Sequence, residues 1–160
     1  MLLATARTGA DDKFDPAHPF YRFIARLGQL RREHAALRTG ATLPRPTAEP
    51  GLLAFSRLER GERIEYLAAF NNSRATTLAA SVATSQPAGA KLVRIFDSRT
   101  PEDAGGETLV AGDHGEVRVT LAPLQFALWR AAAALPAPAT PPTITLATPA
   151  AGAALSIGSR

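Results

Sequence analysis

Three histidines and one acidic cluster are the residues of this 160-residue chain best suited to chemistry. Two imidazoles brought together by spacing could hold a metal, or could pair with a nucleophile as general base. His18, His34 and His114 stand in no HExxH or HxH arrangement that would do this. Asp11, Asp12 and Asp15 offer carboxylate oxygens to a cation, but without the spacing and glycine of an EF-hand loop. Turn formation and helix-dipole stabilisation explain them equally well. There is no cysteine, which excludes disulfides, thiolate metal sites and cysteine nucleophiles. No GxSxG, Walker or GxGxxG stretch occurs. Catalytic, cofactor-binding and metal residues are therefore all expected to be absent, because nothing assembles an acid, a base and a nucleophile.

Two weaker signals remain. Asn71-Asn72-Ser73 matches a glycosylation sequon, although a turn accounts for it as well. Tyr21, Tyr66 and Trp129 are candidates for a sugar-stacking platform. Tyr66 shares a strand face with Ile64 and Phe70, and Trp129 falls in a late strand, positions that favour a core role.

The elements that position these residues divide at Gly40. Before it, Phe20, Phe23, Ile24, Leu27, Leu30, His34 and Leu37 recur at intervals of three and four, behind Pro19 at a first-turn position. The pattern predicts one amphipathic helix over about 19–38, with Gly40 as a left-handed residue closing it. Its five arginines (Arg22, Arg26, Arg31, Arg32 and Arg38) against Glu33 account for the whole net charge of +4. The remaining charges balance, and no aromatic-interleaved basic face suggests nucleic acid. The bland reading is a solvated helix face. An anionic partner or membrane surface is the sharper one.

After Gly40 the period becomes two. Ile64, Tyr66, Ala68 and Phe70 alternate with Arg63, Glu65, Leu67 and Ala69, and Val117, Val119 and Leu121 with Glu116, Arg118 and Thr120. Shorter strands are predicted at 52–58, 76–82, 91–96, 107–111 and 125–130. Turn signals separate them at 59–61, 71–73, 87–89, 104–106 and 112–115, the last placing His114 in a tight hairpin turn. The expected fold is mainly β: an antiparallel β-sandwich or Greek-key domain preceded by one amphipathic helix. Residues 132–142 are Ala/Pro-rich and read as a linker. Residues 143–160 begin like a strand and read as the start of a truncated immunoglobulin-like or carbohydrate-binding module. No apolar run is long enough to span a membrane, and the N-terminus lacks the form of a secretory signal.

The order of these phrases carries a resemblance. "FDPAHPFYRFIARLGQLRREHAALRTG", then "PGLLAFSRLERGERIEYLAAFNNS", then "VRVTLAPLQFALWRA" resembles the C-terminal region of α-amylase-family glycoside hydrolases. There the last helix of a (β/α)8 barrel leads into an antiparallel β domain, domain C. The proline of the family's helix phrase is missing, since this sequence reads His34-Ala35-Ala36-Leu37. The resemblance covers about residues 9–131. It implies that residues 1–40 end a truncated barrel and that 41–131 form domain C. It also implies that the catalytic carboxylates of the parent enzyme lie upstream, so this chain alone should be inactive. The expected partner is the missing catalytic barrel, and α-glucan polysaccharide is a second one; nucleic acid and membrane are not expected. Calcium is expected only in the parent barrel, and the parent enzyme in an extracellular or periplasmic setting. The alternatives are a free-standing carbohydrate-binding module and a basic helix that binds an anionic partner.

Overall fold

The computed structural model describes residues 15–101 and 106–137. The predicted module at 143–160, the end of the linker, part of the 104–106 turn and Asp11 and Asp12 of the acidic cluster lie outside the described residues.

Helix α1 runs Pro19–Glu33 and is followed by a single turn, α2, over Ala36–Thr39. Eight strands follow: β1 (Ala41–Pro44), β2 (Leu52–Leu58), β3 (Glu65–Asn71), β4 (Leu78–Ala83), β5 (Lys91–Asp97), β6 (Thr108–Val110), β7 (Glu116–Leu121) and β8 (Phe126–Ala131). All pairings are antiparallel. One sheet has the order β1-β2-β3-β8-β5-β6, and β4 pairs with β7 in a two-stranded sheet. The chain changes sheets four times between β3 and β8, and the last strand returns to lie between β3 and β5.

The core follows from this layering. Between the two sheets, Leu67, Ala69, Leu92, Ala127 and Trp129 meet Ala80, Val82, Val117, Val119 and Leu121. On the other face of the large sheet a second cluster joins Tyr66, Ala68, Phe96 and Leu128 to Leu30 and Ala36 of the helical segment. A register shift between Arg94 and Phe96 marks a bulge in β5 that lets Phe96 join this second cluster, where it meets Phe23 edge-on. β7 is half-buried with clean alternation, as expected. β3 is not half-buried: six of its seven residues are buried, because β3 lies in mid-sheet with the β4–β7 pair on one face and the helix on the other.

Three expectations need correction. The helix is not continuous to residue 38, because His34 takes an extended conformation (φ −120°, ψ 109°) and breaks it into α1 and α2. Gly40 is not left-handed: its φ is −63° and ψ is 151°. It is needed for closeness instead, because a Cβ there would sit 2.5 Å from the Ala36 carbonyl oxygen and 3.0 Å from that of Leu58. Both obstacles are backbone, so Gly40→Ala should cost about 1–3 kcal/mol, read as a lower midpoint in urea unfolding. Finally, Gly112-Asp113-His114-Gly115 is not a hairpin. It is a corner between sheets, since β6 pairs with β5 and β7 with β4. β1 is a further strand that the sequence pattern did not reveal.

Candidate functional site

The residues singled out for chemistry are scattered. His18 is the N-cap of α1, with Nδ1 accepting from the Phe20 amide at 3.2 Å. Asp15 accepts from the Ala17 amide at 2.8 Å, a local turn contact. His114 is exposed at the corner between β6 and β7. Among the described residues no group of three His, Asp or Glu side chains could hold a metal ion.

Asn71 is fully buried. Its Nδ2 donates to the carbonyls of Thr76, Leu121 and Ala122, each at 2.9 Å, and its Oδ1 accepts from the Ser73 amide. An amide so engaged offers nothing to a glycosyl donor, so the sequon marks the lock of the β3–β4 turn. The sugar-platform aromatics separate too. Trp129 and Tyr66 are core residues, one on each face of the large sheet, and Tyr21 alone of the three is exposed.

The arginines of the helix have work within the fold. Arg31 Nη1 donates to the Leu37 carbonyl at 2.8 Å, and Arg38 Nη1 donates to those of Arg31 and Arg32 at 2.5 and 2.6 Å. Cations thus satisfy carbonyls at the end of α1, where both geometry and helix dipole favour them. Arg26 lies 3.8 Å from Glu33.

The clustered carboxylates are also bound internally. Arg94 Nη1 bridges Asp97 (3.1 Å) and Glu107 (3.3 Å), and Asp97 further accepts from Gln125 Nε2 and the Arg99 amide. Glu65, fully buried, accepts four hydrogen bonds. Arg45 Nη2 (2.7 Å) and Ser56 Oγ (2.5 Å) donate to Oε1, and the Ser85 amide (2.9 Å) and Gln86 Nε2 (3.0 Å) donate to Oε2. This network, which the sequence reading missed, ties the β1–β2 connection, β2 and β3 to the β4–β5 connection. Its signal was a charge on a strand face whose later members, Leu67 and Ala69, are apolar.

What the surface does offer is apolar. Phe20 and Ile24 of α1 are each half-exposed, and on β2 Leu53 and Phe55 are also open to solvent. A groove of about 320 Å³ runs between the helical segment and the sheet, lined by Leu27, Leu30, Leu37, Phe55, Phe126 and Leu128, with Arg31 and Arg57 also bordering it. The predicted stripe therefore splits: Phe23, Leu27 and Leu30 pack on the sheet, whereas Phe20 and Ile24 face outward.

The architecture is a two-sheet antiparallel domain with a half-buried helix on its outer face. No carboxylate cluster free to do chemistry is found among its described residues. No family model matches the chain. It is 36% identical over 152 residues to an α-amylase of Streptomyces lividans, which covers 94% of the chain but only 16% of that enzyme. The fold is that of parts of two solved enzymes. One is an Anoxybacillus α-amylase (TM-score 0.52, 17% identity, 73% of this chain and 23% of that one). The other is a γ-CGTase from the alkalophilic Bacillus clarkii (TM-score 0.56, 24% identity, 74% and 17%). Over nearly its whole length the chain is thus similar to part of an α-amylase-family glycoside hydrolase, and it spans about a sixth of that relative.

Proposed function

We propose that this chain is the non-catalytic C-terminal region of an α-glucan-acting glycoside hydrolase. In this reading α1 is the last helix of a (β/α)8 barrel. Residues 41–131 are the β domain that packs beside the barrel and shields its apolar surface. The observation that carries the proposal is the double demand on α1. Leu30 is buried against the β domain while Phe20 and Ile24, on the same stripe, remain half-exposed. A helix that served the β domain alone would have no use for the outward pair, whereas a helix wedged between barrel strands and a β domain needs apolar residues toward both. The parent enzyme is expected outside the cytoplasm, and calcium plays no part in the role assigned to this chain.

The chemistry of glycoside cleavage needs two carboxylates flanking the scissile bond, on loops at the C-terminal face of the barrel strands. Asp97 and Glu107 share one guanidinium, and Glu65 lies buried under four donors. The purified chain should release no reducing sugar from soluble starch. Release above a heat-denatured control would sink the proposal.

A further inference from the structure

We propose that His34, Tyr66 and Arg130 form an acid-sensitive latch that holds the helical segment on the large sheet and releases it when His34 takes up a proton. Apolar packing of Leu30 and Ala36 and the Arg57 bonds to the Ala36 and Arg38 carbonyls also hold the segment, and the latch is the part of this contact that can take up a proton. His34 is the extended residue at which α1 ends, its own amide still bonded to the Leu30 carbonyl at 3.0 Å. Its ring packs against that of Tyr66 with centroids 5.1 Å apart. Tyr66 Oη lies 3.1 Å from His34 Nδ1 and accepts from Arg130 Nε at 3.2 Å.

Hydrogen-bond arithmetic points to one protonation state. Arginine can only donate, so it uses an oxygen lone pair. The hydroxyl proton is then free for His34 Nδ1. The arrangement that gives every one of these groups a partner has the imidazole neutral, with Nδ1 accepting and its proton on Nε2. A proton added at Nδ1 sets two donors and two positive charges on one phenolic oxygen. The hydroxyl's own hydrogen then loses its acceptor.

Other charges face the ring from every side. Arg130 on β8 and Arg26 on α1 oppose protonation, whereas Glu33 on α1 and Glu62 in the β2–β3 connection favour it. Burial, the largest influence, opposes it as well, and together these hold the His34 pKa below the ordinary 6.5. Burial also pushes the Tyr66 hydroxyl up, keeping it protonated and able to donate. The sign follows from linkage: the docked state binds fewer protons than the released one. Docking is therefore at full strength above 6.5 and weakens as pH falls from there through the lowered value. Each pKa unit of depression raises the opening constant about tenfold at the acid limit.

The test is NMR on the whole chain, following the His34 ring and amide hydrogen exchange corrected for intrinsic rates. We expect His34 to titrate below 6.5. Protection of the Leu37 and Gly40 amides should fall in acid, while that of Val117 and Val119 in the sandwich holds. In His34→Gln, which cannot titrate, that acid loss should vanish. In Tyr66→Phe the same amides should exchange faster at every pH. A His34 pKa at or above 6.5, or an acid loss that persists in His34→Gln, would overturn the latch.

Discussion

Glu65→Ala lowers the unfolding free energy by about 3–5 kcal/mol, the range found when one partner of a buried ion pair is removed. The Glu65 side chain has no exposed surface and that of Arg45 keeps 15%. Truncation leaves the guanidinium without its counter-charge in a largely desolvated position. Ser56 Oγ, the Ser85 amide and Gln86 Nε2 lose an acceptor at the same time. Glu65→Gln is no rescue, since its amide nitrogen must face donors wherever it points. Denaturant unfolding of the single and double variants checks the mechanism. Arg45→Ala/Glu65→Ala should cost well under the sum of the two single changes, because the second change removes the stranded charge. Additive costs would mean that the pair does not act as a unit.

Trp129→Ala is the second large effect, about 3–5 kcal/mol, the range for truncating a buried tryptophan to alanine. The side chain is fully buried and pairs across the strands with Leu67 in the cluster that joins the two sheets. For a domain of this size the melting temperature should drop by on the order of 10 °C or more. Trp129→Phe should cost markedly less, since the indole Nε1 is buried with no protein acceptor and its removal gives up no hydrogen bond. Equal losses for the two variants would show that shape complementarity of the indole, rather than buried volume, holds the sheets together.

These two residues mark how far the sequence could be read. Trp129 was legible: a strand pattern at 125–130 placed it in β8, and its size favoured the core. β2 was equally plain, because a turn signal at 59–61 closes its apolar run, and the structure forms it over Leu52–Leu58 as predicted. Long periodic elements declare themselves because one buried face imposes one period. Glu65 was obscured because β3 is buried on both faces, so alternation no longer separated inside from outside.

Gly40 shows a different limit. A glycine after a helix has two uses, positive φ and close approach, and only the tertiary contact with Leu58 says which applies. At the break, His34 bonds to Tyr66, 32 residues along the chain, a contact that no local pattern could supply. β1 escaped because four residues ending in proline form an edge strand, with too few positions to show a period.

The helix packs on the β domain and, on the proposed reading, has a second partner in the barrel. Two of its arginines, Arg31 and Arg38, have partners within the fold, donating to carbonyls of the helical segment itself. The coding sequence immediately upstream of the first codon tests this account most directly. The account predicts an in-frame (β/α)8 barrel with paired catalytic carboxylates on the loops that follow its strands. An upstream sequence that encodes no such barrel would contradict it.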